Sequence, residues 1–139
     1  MKIFYLLLLV LTVSSFYSES TNISVEITGI DQLKGQLMLA VFDDEDNFPN
    51  SDKALMRIVH PVTATKESIS ISNLVKGKKY AIAVYHDLNK NGRLDKNFLG
   101  IPIEKYGFSN GARAMFSAPT FSEAGFSCAD NMYLKIVIY

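Results

Sequence analysis

Six apolar runs of strand length, with turn residues between them, constrain this chain to a β-fold. Ile23, Val25 and Ile27 alternate with polar residues, and Gly29 follows them. Leu37 to Phe42 is continuously apolar between Gly35 and Asp43, and Leu55 to Val59 is closed by Pro61. Ile69 and Ile71 alternate with serines. Tyr80 to Tyr85 opens after Lys76-Gly77 and closes at His86-Asp87, and Tyr133 to Tyr139 sets Leu134, Ile136 and Ile138 opposite Lys135. Alternation at every second residue buries one side of a strand and wets the other. No segment carries a long helical period. The fold class is therefore all-β, with the strands packed as a sandwich.

Two features narrow that class. In Gly77-Lys78-Lys79-Tyr80-Ala81-Ile82-Ala83-Val84 a turn leads into a tyrosine and an apolar strand. This resembles the next-to-last strand of immunoglobulin-like or transthyretin-like antiparallel sandwiches, whose tyrosine ties its hydroxyl to nearby backbone. The plain strand propensity of tyrosine is the alternative. The second feature is the connection from Asp87 to Asn131, far longer than a hairpin loop. It holds Phe98, Tyr106, Phe108, Phe116, Phe121 and Phe126, so it is expected to be a long ordered loop before the last strand. A short strand is expected near Ala112–Phe116 and a helical turn near Ser122–Ala124. Packing on the sandwich is the first role for these aromatics; stacking on a sugar or gripping a peptide is the second.

The first twenty residues read as a secretory signal peptide. Lys2 precedes an apolar run from Ile3 to Val13, broken only by Thr12, and Ser14, Ser15 and Ser18 follow. The run is too short to span a bilayer. The expected cut lies between Ser15 and Ser20, leaving a single domain over residues 21–139 of ordinary size. Export to the periplasm or the extracellular space is the expected localisation, without stable membrane insertion afterwards. The 14 basic and 14 acidic residues balance, and losing Lys2 and Glu19 keeps the balance, so nothing in composition favours a nucleic acid or an anionic membrane. Cys128 has no second cysteine to pair with. A buried structural thiol fits it better than a nucleophile, because His60 and His86 lie far away in sequence.

The chemistry concentrates in Asp87-Leu88-Asn89-Lys90-Asn91-Gly92-Arg93-Leu94-Asp95. Oxygen side chains stand at Asp87, Asn89, Asn91 and Asp95, with Gly92 where a loop wrapping a cation turns sharply. Arg93 occupies the seventh position, which gives its backbone carbonyl in such loops. Ca²⁺ takes six to eight oxygens at roughly 2.3–2.6 Å, and the spacing matches the first half of the D-x-[DN]-x-[DN]-G calcium pattern. The twelfth position is Phe98 rather than a bidentate Glu, and the flanks read as strand, so the loop is expected on a β-scaffold and not in an EF-hand. With formal charge only at Asp87 and Asp95 the expected affinity is weak, on the order of 10⁻⁴–10⁻³ M. A polar turn built from Asn, Asp and Gly is the alternative. A second acidic cluster, Asp43-Asp44-Glu45-Asp46, follows the second strand. If Leu37–Phe42 and Tyr80–Tyr85 run in the same direction, as the second and sixth strands of an immunoglobulin-like sandwich do, that cluster would join the loop. One miscounted strand would send it to the opposite end.

The block from His86 to Asp95, continued by Phe98-Leu99-Gly100-Ile101-Pro102 and Glu104-Lys105-Tyr106-Gly107-Phe108-Ser109-Asn110, resembles the small exported bacterial proteins catalogued as domain of unknown function 2141. Ala118-Pro119-Thr120-Phe121-Ser122-Glu123-Ala124, Gly35 through Phe42 and Phe48-Pro49 extend the resemblance over nearly all of the mature domain. It implies a bacterial origin, export and a β-sandwich, and no activity.

No catalytic constellation is evident. His86 and Asp87 are adjacent on a strand and point to opposite faces, and no G-x-S-x-G, H-E-x-x-H or paired Cys/His set occurs. The expected function is a secreted calcium-binding module that meets a glycan, a peptide or an envelope protein. A structural or accessory domain with an ion staple is the first alternative and a metal-assisted hydrolase the second. His86 is expected to serve folding through packing or hydrogen bonding, since a hard cation prefers oxygen.

Overall fold

The computed structural model describes residues 18–113 and 116–139. Among them, eight strands form two sheets. In the first, β1 (Ser20–Thr28) lies between β4 (Lys66–Val75), antiparallel to it, and β8 (Met132–Val137), parallel to it. The second sheet runs β3 (Met56–Pro61), β2 (Gln36–Phe42), β5 (Lys79–Asp87), β6 (Tyr106–Phe108), with β7 (Phe126–Ser127) against the start of β5. The chain is an all-β sandwich, and each of the six apolar runs overlaps a strand.

The alternation seen in sequence is the alternation of burial. Val25, Ile27, Ile71 and Ile136 from the first sheet pack against Leu37, Leu39, Val41, Ile82 and Val84 from the second. Each such side chain stabilises the fold by about 1.5–3 kcal/mol relative to exposure. From Tyr80 to Val84 β5 is apolar, because its inner face packs on the core and the first part of its outer face is covered as well. Its outward Ala81 packs with Phe108 and Ala124, and Ala83, Phe48 and Phe121 border them. At its start the Tyr80 hydroxyl accepts the Val75 N–H at 2.9 Å, which forms the expected tyrosine corner.

The long connection is ordered where it is described, but its strand is not where the sequence placed it. Ala112, Arg113 and Phe116 are outside any strand, and 114–115 lie outside the described residues. The strand is β6 instead. There Tyr106 flanks and Phe108 joins the outer apolar cluster, while Gly107 lets the backbone pass against the Val137 carbonyl. The helical turn is present as α1 (Phe121–Ala124), with reciprocal capping between Thr120 and Glu123. Cys128 is buried, and burial, with the nearby Asp130 charge, pushes its thiol pKa up. Residues 1–17, where most of the expected signal segment falls, lie outside the described residues. Glu19 is tied to the sandwich, its carbonyl accepting the Lys76 N–H at 2.9 Å.

The acidic cluster does not join the Asp87 loop. β2 and β5 are antiparallel neighbours, with Phe42 opposite Ala81 and Gln36 opposite Asp87. Their C-terminal ends are therefore about 20 Å apart at roughly 3.4 Å per residue. Asp43 instead pairs with Lys78 at 2.6 Å, and Asp44 caps its own turn by accepting from the Asp46 N–H at 2.9 Å. The expectation failed on strand parity.

One buried acid organises the turn between β3 and β4. Glu67 accepts the N–H groups of Thr63 at 2.6 Å and Ala64 at 2.8 Å, the Thr63 hydroxyl, and His60 Nε2 at 3.1 Å. Burial by itself would raise its pKa; the hydrogen bonds win and hold it at about 2, against an ordinary 4.5. A carboxylate with a depressed folded pKa stabilises fully above its unfolded value, and that stability fades as pH falls toward the folded one. The predicted loss between pH 5 and pH 2 is about 3 kcal/mol. Acid titration of stability should show it, and Glu67→Gln should lower stability at pH 7 while flattening that part of the profile.

Candidate functional site

The oxygen-rich loop begins at the last residue of β5. Asp87 is fully buried and faces outward from the sandwich core, and its carboxylate draws the loop back over itself. Oδ1 accepts the Asn91 N–H at 3.1 Å; Oδ2 accepts the Gly92 N–H at 2.8 Å and Gln36 Nε2 at 2.9 Å. Lys90 and Gly92 take positive φ to make the turn, at 61° and 75°. Asn89 Oδ1 accepts the Asn91 N–H at 3.0 Å, and Asn91 Oδ1 accepts the Arg93 N–H at 2.8 Å. Asp95 then folds between the two amides. Asn89 Nδ2 donates to one of its oxygens at 2.6 Å and Asn91 Nδ2 to the other at 2.8 Å.

The structure thus brings Asp87, Asn89, Asn91 and Asp95 into one network, with Arg93 anchored by its N–H. Phe98, at the position where an EF-hand carries its last ligand, is 95% exposed. Among the described residues no three His, Cys, Asp or Glu side chains are grouped to hold a metal. The donor set of this loop is two carboxylates, two amides and a backbone carbonyl.

Sequence reasoning gave Glu104 no part in the loop. It is buried, and its carboxylate ties both ends together: Oε1 accepts the Leu88 N–H at 2.8 Å and Oε2 the Asp95 N–H at 3.0 Å. The only signal for this was a lone acid set among Ile101, Pro102, Ile103 and Tyr106. Gln36 and Gly35 were equally silent. Gly35, at φ 76°, lies so close to Asp87 and Leu88 that a Cβ would meet the Asp87 carbonyl.

His86 and Asp87 point apart. His86 is buried on the core side with Nε2 2.7 Å from the Lys34 carbonyl, which can only accept, so that nitrogen carries the proton. His60 pairs with Glu67 in the β3–β4 turn. Neither imidazole reaches the loop oxygens through any hydrogen bond.

Beside the loop the outer face of the second sheet is left partly uncovered. A groove of about 920 Å³ has Ala40 and Ala83 in its floor and Tyr85 and Tyr106 along it, with Arg93 and Lys96 on the loop side. Burial raises the Tyr85 pKa, and the negative charges of Asp87 and Glu104 add to the rise.

The sequence pattern of an uncharacterized protein family conserved in bacteria, domain of unknown function 2141, matches residues 25–135. The chain belongs to this family. The matched span runs from β1 into β8 and includes the whole Asp87–Asp95 loop, Glu104 and the groove. No curated protein and no solved structure matches the chain.

Proposed function

We propose that this domain of unknown function 2141 protein is an exported calcium-binding module that meets a glycan, a peptide or a protein of the bacterial envelope. The observation that carries the reading is the Asp87 carboxylate, which curls the loop so that Asn89, Asn91 and Asp95 come together. Ca²⁺ would take side-chain oxygens of Asp87, Asn89, Asn91 and Asp95 and the Arg93 carbonyl, with water completing its shell. Each engaged amide oxygen keeps a second lone pair. The ion would brace the wall that the loop lends to the groove, where Tyr85 and Tyr106 offer rings for stacking.

Calcium is predicted to raise the melting temperature. At a free concentration of about 100 times the dissociation constant, linkage adds roughly 2.7 kcal/mol. Asp95→Ala should abolish the increment with little effect on the ion-free protein, because the Asp95 carboxylate is bonded only to Asn89 and Asn91, and the backbone bonds of residue 95 to Glu104 and Ile103 survive the change. Equal melting temperatures in 10 mM Ca²⁺ and in EDTA would refute the reading.

A second reading follows from the closure of the loop by its own hydrogen bonds and by Glu104. In it the loop is a polar staple of a structural or accessory domain. Glycan and peptide screens with and without EDTA separate the two, since only a calcium-dependent ligand supports the first.

A further inference from the structure

Beyond the loop, the chain makes a small hairpin that holds large apolar side chains in water. Phe98 is 95% exposed, Leu99 68%, Ile101 55% and Ile103 66%. The exposure is built into the backbone. Lys96 and Pro102 form a β-bridge, the Asn97 N–H donates to the Ile101 carbonyl at 2.9 Å, and Asn97 Oδ1 accepts the N–H groups of Leu99 and Ile101, each at 3.0 Å. A contiguous apolar tip on a braced hairpin marks an interaction site.

The charges around it favour one kind of partner. Lys90, Arg93 and Lys96 are exposed, and among the described residues none has a carboxylate within 4.0 Å. Of the neighbouring acids, Asp87 and Glu104 are buried, the half-buried Asp95 has its carboxylate engaged by Asn89 and Asn91, and Asp52 across the groove pairs with Arg57 at 3.5 Å. Asp43–Asp46 lie at the other end of the sheet. A chain of zero net charge therefore has a locally basic apolar tip. We infer that the 96–103 hairpin docks on an anionic lipid surface, with Phe98 and Leu99 entering the headgroup boundary and Lys90, Arg93 and Lys96 meeting the lipid charges. Leu99 and Ile101 also border the groove, whereas Phe98 is outside it and almost wholly in water, free to enter lipid. The contact is peripheral and does not require the calcium reading, since Asn97 and the Lys96–Pro102 bridge brace the tip.

The chain contains no tryptophan, so Phe98→Trp gives a single fluorescent reporter. Protein starting at Ser18 contains every described strand of both sheets and omits the apolar leader, which would itself bind lipid. It is mixed, in EDTA, with vesicles of phosphatidylcholine alone or with 30% phosphatidylglycerol. The expected result is a blue shift in the emission of the introduced indole and co-sedimentation with the anionic vesicles only. Lys90→Ala/Arg93→Ala/Lys96→Ala should weaken binding roughly a hundredfold, at about tenfold or less per charge. Phe98→Asp/Leu99→Asp should weaken it at least tenfold while leaving the melting temperature unchanged. Absence of sedimentation, binding indifferent to the tip variants, or self-association that Phe98→Asp/Leu99→Asp abolishes in lipid-free solution would overturn the inference; the last would assign the tip to a second copy of the chain.

Discussion

Asp87→Ala is expected to lower stability by about 3–5 kcal/mol and to remove any response to calcium. The carboxylate is fully buried and accepts three hydrogen bonds, from Gln36, Asn91 and Gly92. Hydrogen bonds to a charged group contribute about 1.5–3 kcal/mol each, and the donors released are partly wet: Asn91 and Gly92 are exposed, and the Asn91 N–H keeps Asn89 Oδ1. Relief from burying a charge offsets part of this sum, and water entering the opened loop offsets more. For a domain of this size the result is a fall in melting temperature of about 10–20 °C. Asp87→Asn should lie between the two proteins, because it keeps one acceptor but turns an N–H₂ toward donors. This variant alone does not separate a metal ligand from a structural acid. Asp95→Ala does, since it should lose the calcium response with the ion-free stability nearly intact. Thermal melts of the three variants with and without calcium give the comparison. A decrease under 1 kcal/mol for Asp87→Ala would mean that its hydrogen bonds do not hold the loop.

Gly35→Ala is expected to cost about 3 kcal/mol, although it adds one methyl group. Positive φ accounts for about 1–2 kcal/mol of this in any non-glycine residue. The rest comes from space: the new Cβ would lie on the Asp87 carbonyl and 2.8 Å from the Leu88 Cα, and both neighbours are backbone. Relief requires β2 to move away from the end of β5, which pulls Gln36 from Asp87. Gly77→Ala is the control. Its φ is nearly the same at 79°, but nothing lies within 4 Å of the added carbon, so only the backbone cost remains. Denaturant melts of the pair should differ by about 1–2 kcal/mol. Equal losses would show that the approach of the β1–β2 turn to the loop carries no energy.

These two residues show how the site was divided between what could be read and what could not. Asp87, Asn89, Asn91, Arg93 and Asp95 were legible because their spacing is local. Side chains two residues apart in a tight turn meet whatever the rest of the chain does, and the network of short hydrogen bonds among them follows from that. Glu104 was not legible, because it meets Leu88 across 16 residues of chain whose path is set by packing. Gln36 reaches Asp87 across 51 residues for the same reason, through the pairing of β2 with β5. The acidic cluster at Asp43–Asp46 failed in the opposite sense. Its composition suggested a ligand, and strand direction carried it to the far end of the sheet.

By itself the sequence determined the class of fold, the burial face of the alternating strands β1, β4 and β8, and the closeness of the Asp87–Asp95 oxygens; the tyrosine corner it offered only beside plain strand propensity. All of these depend on side-chain period or on contacts within a few residues. Only the tertiary structure decided that β8 lies parallel to β1, that β6 forms at Tyr106–Phe108, and that Glu104 closes the loop. It also decided how charge is distributed. Composition counts the acids and bases as equal, but burial of Asp87 and Glu104 and the antiparallel course of β2 and β5 leave Lys90, Arg93 and Lys96 exposed beside an apolar tip. Net charge is a sum over the chain, whereas a surface field depends on which charges folding leaves in water and at which end of the sheet they emerge.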